Sequence, residues 1–248
     1  MEVVKISGIE IRKLTKSFLV DGRNLPVLRG VDLSLSAEDI TILLGQSGCG
    51  KTTLLRIVAG LEKADGGSVE QNGIARLGIV FQEPRLMPWL TVERNIAFGR
   101  SPGETDRNEL ARLVQLAGLE GFERAYPAQL SGGMQQRTAI ARALAMNPSY
   151  LLMDEPFAAL DYFTRARLQQ SLLEICRTEK KGMLFITHHI DEALILGSRI
   201  VVMKQGICAK QYDLRNLPYP RDLTGETVNR LKREILNDIN ESKEENGC

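Results

Sequence analysis

Residues 45–52 constrain the fold of this chain more than any other segment. They read Gly45-Gln46-Ser47-Gly48-Cys49-Gly50-Lys51-Thr52 and fit the pattern GxxxxGK[ST]. The apolar run at 40–44 precedes them, as in a strand buried on both faces, and a helical run from Thr53 follows. Glycines let successive backbone N–H groups point at phosphate oxygens, and a helix start adds its positive end. This context predicts a phosphate-binding loop in which Lys51 contacts the β- and γ-phosphates and Thr52 places its hydroxyl on Mg²⁺.

Cys49 lies inside this loop and leaves two interpretations open. One is a redox-active thiol; the other, which we favour, is a small residue whose backbone N–H takes part in the loop. The four cysteines are far apart, with no CxxC pair and no histidine at metal-ligand spacing. We therefore expect neither a disulfide framework nor a cysteine-bound metal.

The pattern of apolar residues predicts an α/β fold. Residues 8–12 and 31–35 alternate apolar and polar positions, as half-buried antiparallel strands do, and Asp21-Gly22 with Pro26 marks the turn between them. Apolar runs at 40–44, 150–153, 183–186 and 200–203 are typical of strands buried on both faces. Three of these runs follow helical patterns. We therefore expect a mostly parallel core sheet covered by helices, with an N-terminal antiparallel β subdomain.

A middle segment breaks this rhythm. Prolines recur there, and a run from Thr105 to Leu110 opens an amphipathic helix. We predict a helical subdomain over residues 86–145, inserted within a single domain of residues 1–248. The tail, residues 213–248, is expected to contain one amphipathic helix that packs on the core, with regulation as the alternative, and a charged, frayed end at 241–248.

Charge and length narrow the possible functions. The 248 residues include 32 Lys and Arg against 31 Asp and Glu, for a net charge of +1. This balance argues against general nucleic-acid binding, which depends on clustered basic side chains. No apolar run approaches the roughly 20 residues that cross a bilayer, and the first residues lack the features of a signal peptide. We therefore expect a cytosolic protein.

An acidic pair follows a second buried strand. The run Tyr150-Leu151-Leu152-Met153 leads into Asp154 and Glu155, at the carboxyl end where ligands of open α/β sheets bind. Asp154 is suited to hold Mg²⁺, and Glu155 is suited to orient and deprotonate an attacking water. A solvated strand cap is the alternative, but the phosphate loop upstream favours the catalytic interpretation.

A second anion-binding helix start is predicted at Ser131. Leu130-Ser131-Gly132-Gly133 precedes a helical run from Thr138 to Ala145, so Ser131 lies at an N-cap position. The glycines leave backbone N–H groups open to an anion. One chain does not easily close this second site over the phosphate at its own Lys51, but a partner chain can.

Together these motifs resemble those of the ATP-binding cassette (ABC) family of transporter ATPases. The resemblance runs from about residue 8 to 210 and is highly specific in combination. It rests on the phosphate loop, Gln82 in Val80-Phe81-Gln82-Glu83, Leu130-Ser131-Gly132-Gly133, Asp154-Glu155, Ala158-Ala159-Leu160-Asp161 and Thr187-His188. It implies a P-loop NTPase cassette that binds ATP with Mg²⁺.

The resemblance also implies roles for individual residues. In a head-to-tail dimer, most simply of two copies of this chain, each ATP would lie between the Lys51 loop of one chain and Ser131-Gly132-Gly133 of the other. Gln82 would contact Mg²⁺ and the attacking water. His188 would hold the γ-phosphate and position Glu155, while Asp161 would cross the dimer interface.

Phe18 stands where the family places an aromatic that stacks on adenine, with a plain core phenylalanine as the alternative. Three positions depart from the family pattern. Met134 replaces a glutamine, Ala158 replaces a serine, and His189 replaces an acidic residue. We interpret His188 as the switch histidine and His189 as a helix-start residue.

A cassette without a membrane segment resembles the subunits that power importers. Residues 81–92, with Trp89, and Pro220-Arg221-Asp222 in the tail resemble the nitrate, sulfonate and taurine group. This implies permease subunits, a solute-binding protein outside the membrane, and a peripheral place on the cytoplasmic face of the cell membrane. The segment around Trp89 would form a groove for a permease helix, or else a loop of the helical-lobe core.

Two alternatives stay open at the sequence level. One is a non-transport ABC ATPase acting in repair, translation or cluster assembly, although this chain lacks the long insertion of repair members and the second cassette of translation members. The other is a non-catalytic regulatory cassette, against which Glu155 and His188 argue.

Overall fold

The computed structural model describes residues 7–100 and 106–240, which form two compact units. The first contains residues 7–74 and 182–240, and the second contains residues 75–100 and 106–181. The predictions for residues 1–5 and 241–248, and for Thr105, fall outside the described residues.

The strands are β1 (Gly8–Val20), β2 (Arg23–Ser36), β3 (Ile40–Leu44), β4 (Gly66–Asn72), β5 (Leu77–Val80), β6 (Tyr150–Asp154), β7 (Gly182–Thr187), β8 (Arg199–Lys204) and β9 (Ile207–Asp213). The helices are α1 (Lys51–Val58), α2 (Val92–Ile96), α3 (Arg107–Leu116), α4 (Gly132–Ala145), α5 (Tyr162–Thr178), α6 (Ile190–Leu196) and α7 (Glu226–Asn240), with a 3₁₀ turn at Pro127–Gln129.

An antiparallel sheet opens the first unit, as predicted. Its order is β2-β1-β4, and β1 and β2 form a long hairpin that turns at Asp21-Gly22. Both strands extend beyond the alternating stretches predicted at 8–12 and 31–35. In β1 the pairing register shifts between Ile11 and Leu14, and this shift interrupts the alternation of apolar and polar residues. Lys13, with a φ of 47°, lies in this irregularity. The alternation that marks a strand is therefore interrupted while the pairing continues.

The buried strands of the first unit are mostly parallel, as the apolar runs predicted. Their order is β7-β3-β8-β9, in which β7, β3 and β8 are parallel and β9 is antiparallel. Every residue of β3 and β7 is buried. Burial on both faces explains why these segments read as continuous apolar runs.

The tail helix α7 packs on the core of the first unit, against α6 and β8. Val228 and Ile235 are its buried residues, and their spacing of seven positions places them on one face of the helix. Charged side chains add to this packing: Lys210 pairs with Asp238 at 2.8 Å, and Lys232 pairs with Asp191. The packed tail was therefore predicted correctly.

The second unit combines two parallel strands, β5 and β6, with α2 to α5. Within residues 86–145, the described positions form α2, α3, the 3₁₀ turn, α4 and connecting loops. The Asp106 side chain caps α3 by accepting from the Asn108 N–H at 2.9 Å, and Leu113, Val114 and Ala117 are buried, as expected of an amphipathic helix. The boundaries of the helical subdomain remain a prediction. Across 7–100 and 106–240, no helix is long and apolar enough to cross a membrane.

Candidate active site

The phosphate loop lies between β3 and α1, where the sequence predicted it. Its backbone demands glycine at two points. A Cβ at Gly45 would lie 2.4 Å from the Met203 carbonyl oxygen, and Gly50, the residue that precedes α1, has a φ of 105°. Larger residues at Gly45 or Gly50 would therefore distort the loop. Helix α1 begins at the next residue, Lys51.

Lys51 is buried and points into its own loop. Its Nζ donates to the carbonyl oxygens of Gly45 at 2.8 Å and Gln46 at 2.9 Å. A buried ammonium needs such partners. The arrangement places a fixed positive charge within the loop predicted to bind phosphate.

Cys49 is a packed residue of this loop. Its thiol lies 3.8 Å from the Lys51 Nζ, its N–H donates to the Gln46 carbonyl at 3.4 Å, and its carbonyl accepts from the Gly206 N–H at 3.1 Å. Burial raises the pKa of the Cys49 thiol and outweighs the opposing effect of the Lys51 charge. A buried thiol with a raised pKa is poorly reactive, in keeping with the small-residue interpretation.

His188 follows β7, the strand next to β3. The two strands are parallel, and Leu44 lies opposite Thr187. The carboxyl ends of adjacent parallel strands meet at one sheet edge, so the structure brings His188 to the same edge as the phosphate loop. His188 is exposed there.

A hydrogen-bonded pair holds the turn that carries His188. The Thr187 hydroxyl donates to the Glu192 carboxylate at 2.6 Å and accepts from the His189 N–H at 3.0 Å. Both Thr187 and Glu192 are buried. His189 is the N-cap of α6, so its interpretation as a helix-start residue is confirmed. No local sequence pattern predicts the Thr187–Glu192 hydrogen bond.

Phe18 lies near the tip of the β1–β2 hairpin, opposite Leu25. It is partly exposed rather than a core residue, so its ring is available to a stacking partner. The ammonium of Lys16 lies 5.0 Å from the ring centroid. Lys16 was not among the predicted site residues, because a lysine on a strand is ordinarily a solvated side chain.

A cavity of about 220 Å³ lies beside the phosphate loop in the first unit. Gln46, Ser47, Gly48 and Cys49 line one part of it, and Ile239 of α7 lines another. The Gln46 side-chain N–H₂ donates to the Ile239 carbonyl at 3.3 Å. The end of the tail helix therefore reaches the loop, a contact 193 residues apart in sequence that no local pattern predicts.

In the second unit, the predicted catalytic residues follow neighbouring strands. Strands β5 and β6 are parallel, with Val80 opposite Met153. Gln82 and the pair Asp154 and Glu155 therefore lie at one edge. Asp154 is only 4% exposed, whereas Gln82 is exposed.

Glu155 has a φ of 44°, in the left-handed region that few non-glycine residues adopt. Its carbonyl accepts from the Ala158 N–H at 3.2 Å, within the turn after β6. Such backbone strain is concentrated at functional sites. This conformation turns the chain sharply at the residue predicted to be the catalytic base.

Ser131 is the N-cap of α4, as predicted. Its hydroxyl accepts from the Met134 N–H at 3.2 Å, so methionine at this position leaves the cap intact. A Cβ on Gly133 would lie 3.2 Å from the Ala159 carbonyl oxygen, which shows how closely α4 approaches the segment before α5. Ser131 and Gly132 are exposed at this helix start.

Asp161 caps α5 by accepting from the Thr164 N–H at 3.0 Å. That bond holds the pKa of Asp161 below its usual value. Asp161 is therefore ionised at neutral pH. Its side chain is also exposed. The cap bond is made to the Thr164 N–H and therefore does not involve the side chain at position 158.

Three side chains fix the loop from Gln82 to Thr91 in the second unit. Gln136 of α4 donates to the Phe81 carbonyl at 3.0 Å, and Arg142 donates to the carbonyls of Pro84 and Arg85, both at 2.9 Å. The fully buried Asn95 amide bonds four backbone groups of residues 87–91. Trp89 is nevertheless 68% exposed, so the alternative that it belongs to a core loop is wrong.

These features define an ATP-binding cassette, and comparison with known proteins agrees. The model of the ABC transporter family matches residues 28–158, and the chain belongs to this family. The aliphatic sulfonates import ATP-binding protein SsuB of Bacillus cereus is 43% identical over 237 residues, covering 92% of this chain and 94% of the relative. The corresponding SsuB 1 of Pseudomonas savastanoi is 48% identical over 218 residues, covering 87% and 91%.

A solved structure gives the same fold. The ATP-binding cassette MJ0796, in a dimeric post-hydrolysis state bound to ADP and Pi, is 32% identical with a TM-score of 0.78. The match covers 84% of this chain and all of that one. The chain is accordingly an ABC ATPase with an α/β P-loop fold, and it resembles the sulfonate, nitrate and taurine group.

Proposed function

We propose that this chain is the ATP-hydrolysing subunit of an importer for aliphatic sulfonates. The observation that carries the proposal is its identity of 43% to 48% to sulfonate-import ATP-binding proteins over nearly their whole length. The complete set of predicted nucleotide and catalytic residues supports it. In this proposal the chain lies at the cytoplasmic face of the cell membrane and acts on separate permease subunits, to which a solute-binding protein delivers the sulfonate.

ATP is proposed to bind through the loop of the first unit. The loop amides and Lys51 would hold the phosphates, His188 would contact the γ-phosphate, and Phe18 would stack on the base. Binding through backbone N–H groups at a helix start suits anions. It also explains how a chain with a net charge of only +1 holds a polyanion.

Hydrolysis is assigned to Glu155. Its carboxylate would accept a proton from water, whose oxygen attacks the γ-phosphorus as the bond to the β-phosphate oxygen breaks, giving ADP and phosphate. The hydroxyl of Thr52, the carboxylate of Asp154 and the amide oxygen of Gln82 are hard oxygen donors of the kind that Mg²⁺ takes. When bound, Mg²⁺ would neutralise charge on the phosphate oxygens.

A second copy of the chain is proposed to complete each ATP site. Ser131, Gly132 and Gly133 of the partner would bind the γ-phosphate at the start of the partner's α4. ATP would then favour the closed dimer and ADP would not, because only ATP offers the phosphate that both chains contact. The MJ0796 cassette is dimeric, which supports a dimer of this chain.

The loop around Trp89 is proposed to transfer the closing and opening of the dimer to the permease. The loop follows Gln82 directly, and Asn95, Gln136 and Arg142 hold its backbone, so movement at Gln82 would reach an exposed tryptophan. Exposed tryptophans on a rigid base are typical of protein interfaces.

The proposal is tested by growth. The gene is deleted in its source organism and complemented with the wild-type chain or with Glu155→Gln. We expect loss of growth on ethanesulfonate as the only sulfur source, normal growth on sulfate, and rescue by the wild-type chain alone. Unimpaired growth on ethanesulfonate would overturn the sulfonate assignment. Parallel cultures with taurine as the sulfur source, or with nitrate as the nitrogen source, would show whether either of these solutes is imported instead.

A further inference from the structure

Lys16 of β1 is held in one position by the segment that follows α1. Its Nζ lies 2.7 Å from the Glu62 carboxylate, 2.8 Å from the Lys63 carbonyl oxygen and 3.4 Å from the Asp65 carboxylate. The residue is only 9% exposed. The hydrogen bond with Glu62 raises the pKa of Lys16 and lowers that of Glu62, so both stay charged near neutral pH. A lysine with three oxygen partners is not an ordinary solvated side chain.

The same ammonium lies over the Phe18 ring, 5.0 Å from its centroid. This distance is within the range of a cation–π interaction. An ammonium group occupies one face of a ring, and Phe18 remains partly exposed. The contact thus fixes the ring from one side and leaves the other side for a stacking partner.

The segment that holds Lys16 is in turn fixed to the phosphate-loop helix. The N–H groups of Leu61 and Glu62 donate to the Arg56 carbonyl of α1, at 2.8 and 3.2 Å. Asp65 also bonds the backbone of β1 twice: its N–H donates to the Thr15 carbonyl at 2.9 Å, and its carboxylate accepts from the Ser17 N–H at 2.6 Å. One network therefore connects the strand that carries Phe18 to the far end of the helix that begins at Lys51.

We propose that Lys16 is a positioning residue for the nucleotide base: it holds the Phe18 ring at a fixed distance and orientation from the phosphate loop. The proposal rests on the proposed function in one respect, since Phe18 must stack on the base. Its consequence is that Lys16 contributes to the binding of ATP but not to the binding of a triphosphate without a base.

The test compares two ligands on one purified chain. Dissociation constants for ATP and for inorganic tripolyphosphate are measured by calorimetry, with Mg²⁺ present, for the wild type and Lys16→Met. Methionine keeps an apolar stem but removes the ammonium. We expect the constant for ATP to rise about 2- to 30-fold, the range that a cation–π contact supports, and the constant for tripolyphosphate to stay unchanged.

Two further variants sharpen the comparison. Lys16→Arg keeps a cation that lies over aromatic rings, so we expect it to restore most of the ATP affinity. Glu62→Ala keeps Lys16 but removes its nearest anion, so we expect a smaller loss of ATP affinity than with Lys16→Met. Lys13→Met, an exposed lysine of the same strand, is the matched control and should bind both ligands like the wild type.

Two results would overturn the proposal. Unchanged ATP affinity in Lys16→Met would show that the ammonium does not position the base. An equal loss for ATP and tripolyphosphate would show that Lys16 only supports α1 and its loop. Phe18→Ala separates this failure from that of the proposed function: if it weakens ATP alone, Phe18 remains the base contact and Lys16 alone is rejected. If Phe18→Ala leaves ATP binding unchanged, both assignments fall.

Discussion

At the level of single residues, Lys51 holds the phosphate loop together. Its ammonium donates to the carbonyls of Gly45 and Gln46, and incoming phosphate oxygens would compete for these hydrogen bonds. Lys51→Ala should raise the dissociation constant for ATP about 10- to 100-fold, the range for a lost charged hydrogen bond. A fluorescent-nucleotide titration measures this, with Lys13→Ala as the control. An unchanged constant would remove Lys51 from its assigned role.

The buried thiol of Cys49 leads to a prediction about pH. Burial raises the pKa of Cys49, so the thiolate, the reactive form, is scarcer at pH 7.5 than in a free cysteine. Cys176 and Cys208, with pKa values raised by burial to about 12 and about 11, should be slower still. We expect alkylation of Cys49 by iodoacetamide to be slower than that of glutathione and to accelerate as pH rises. Peptide mapping by mass spectrometry tests this, and a rate equal to that of glutathione would contradict it.

At the level of elements, the tail supports the helix that follows His188. Arg221 donates to the carbonyls of Leu194 and Gly197 at 2.7 and 2.6 Å, and the Tyr219 hydroxyl donates to those of Leu196 and Gly197 at 3.0 and 2.9 Å. These bonds satisfy carbonyl groups that a helix end leaves open. The tail is therefore a structural part of the unit that carries the phosphate loop.

Two adjacent residues of α7 test this packing. Ile235 is 0% exposed and Leu236 is 38% exposed. Ile235→Ala should lower the free energy of unfolding by about 2–5 kcal/mol through lost burial and a cavity, whereas Leu236→Ala should change it far less. Urea unfolding measures both. Equal effects of the two substitutions would mean that α7 does not dock through Ile235.

The sequence predicted elements whose information is local. The phosphate loop, the N-cap at Ser131 and the strand before Asp154 each depend on a few consecutive residues, and all lie where expected. The family resemblance supplied the roles of Gln82 and Asp161, which residue patterns alone did not give.

Contacts between distant segments could not be predicted in this way. Lys16 meets a segment 47 residues away, and Gln46 meets the end of α7. Periodicity shows which face of an element is buried but not which side chain it meets. The bulge near Lys13 also hid the length of β1, because it interrupts the alternation by which a strand is recognised.

At the level of the whole molecule, Trp89 should separate hydrolysis from transport. Trp89→Ala removes an exposed side chain without disturbing the bonds of Asn95 beneath it, so the purified chain should hydrolyse ATP at the wild-type rate. Growth of the complemented deletion strain on ethanesulfonate should be lost, because the substitution removes the side chain proposed to contact the permease. Phe122→Ala, another exposed aromatic, is the control and should support growth. Normal growth with Trp89→Ala would place the permease contact elsewhere.

If Glu155 is the base for ATP hydrolysis, the substitution Glu155→Gln should slow the release of phosphate from ATP. Glutamine keeps the shape of the side chain but cannot take the proton, so we predict a rate about 10²- to 10⁴-fold below the wild type. ATP binding, measured on the same sample, should persist and trap a stable dimer. Glu38→Gln, at an exposed turn, should hydrolyse ATP normally. Hydrolysis by Glu155→Gln at the wild-type rate would show that Glu155 is not the base.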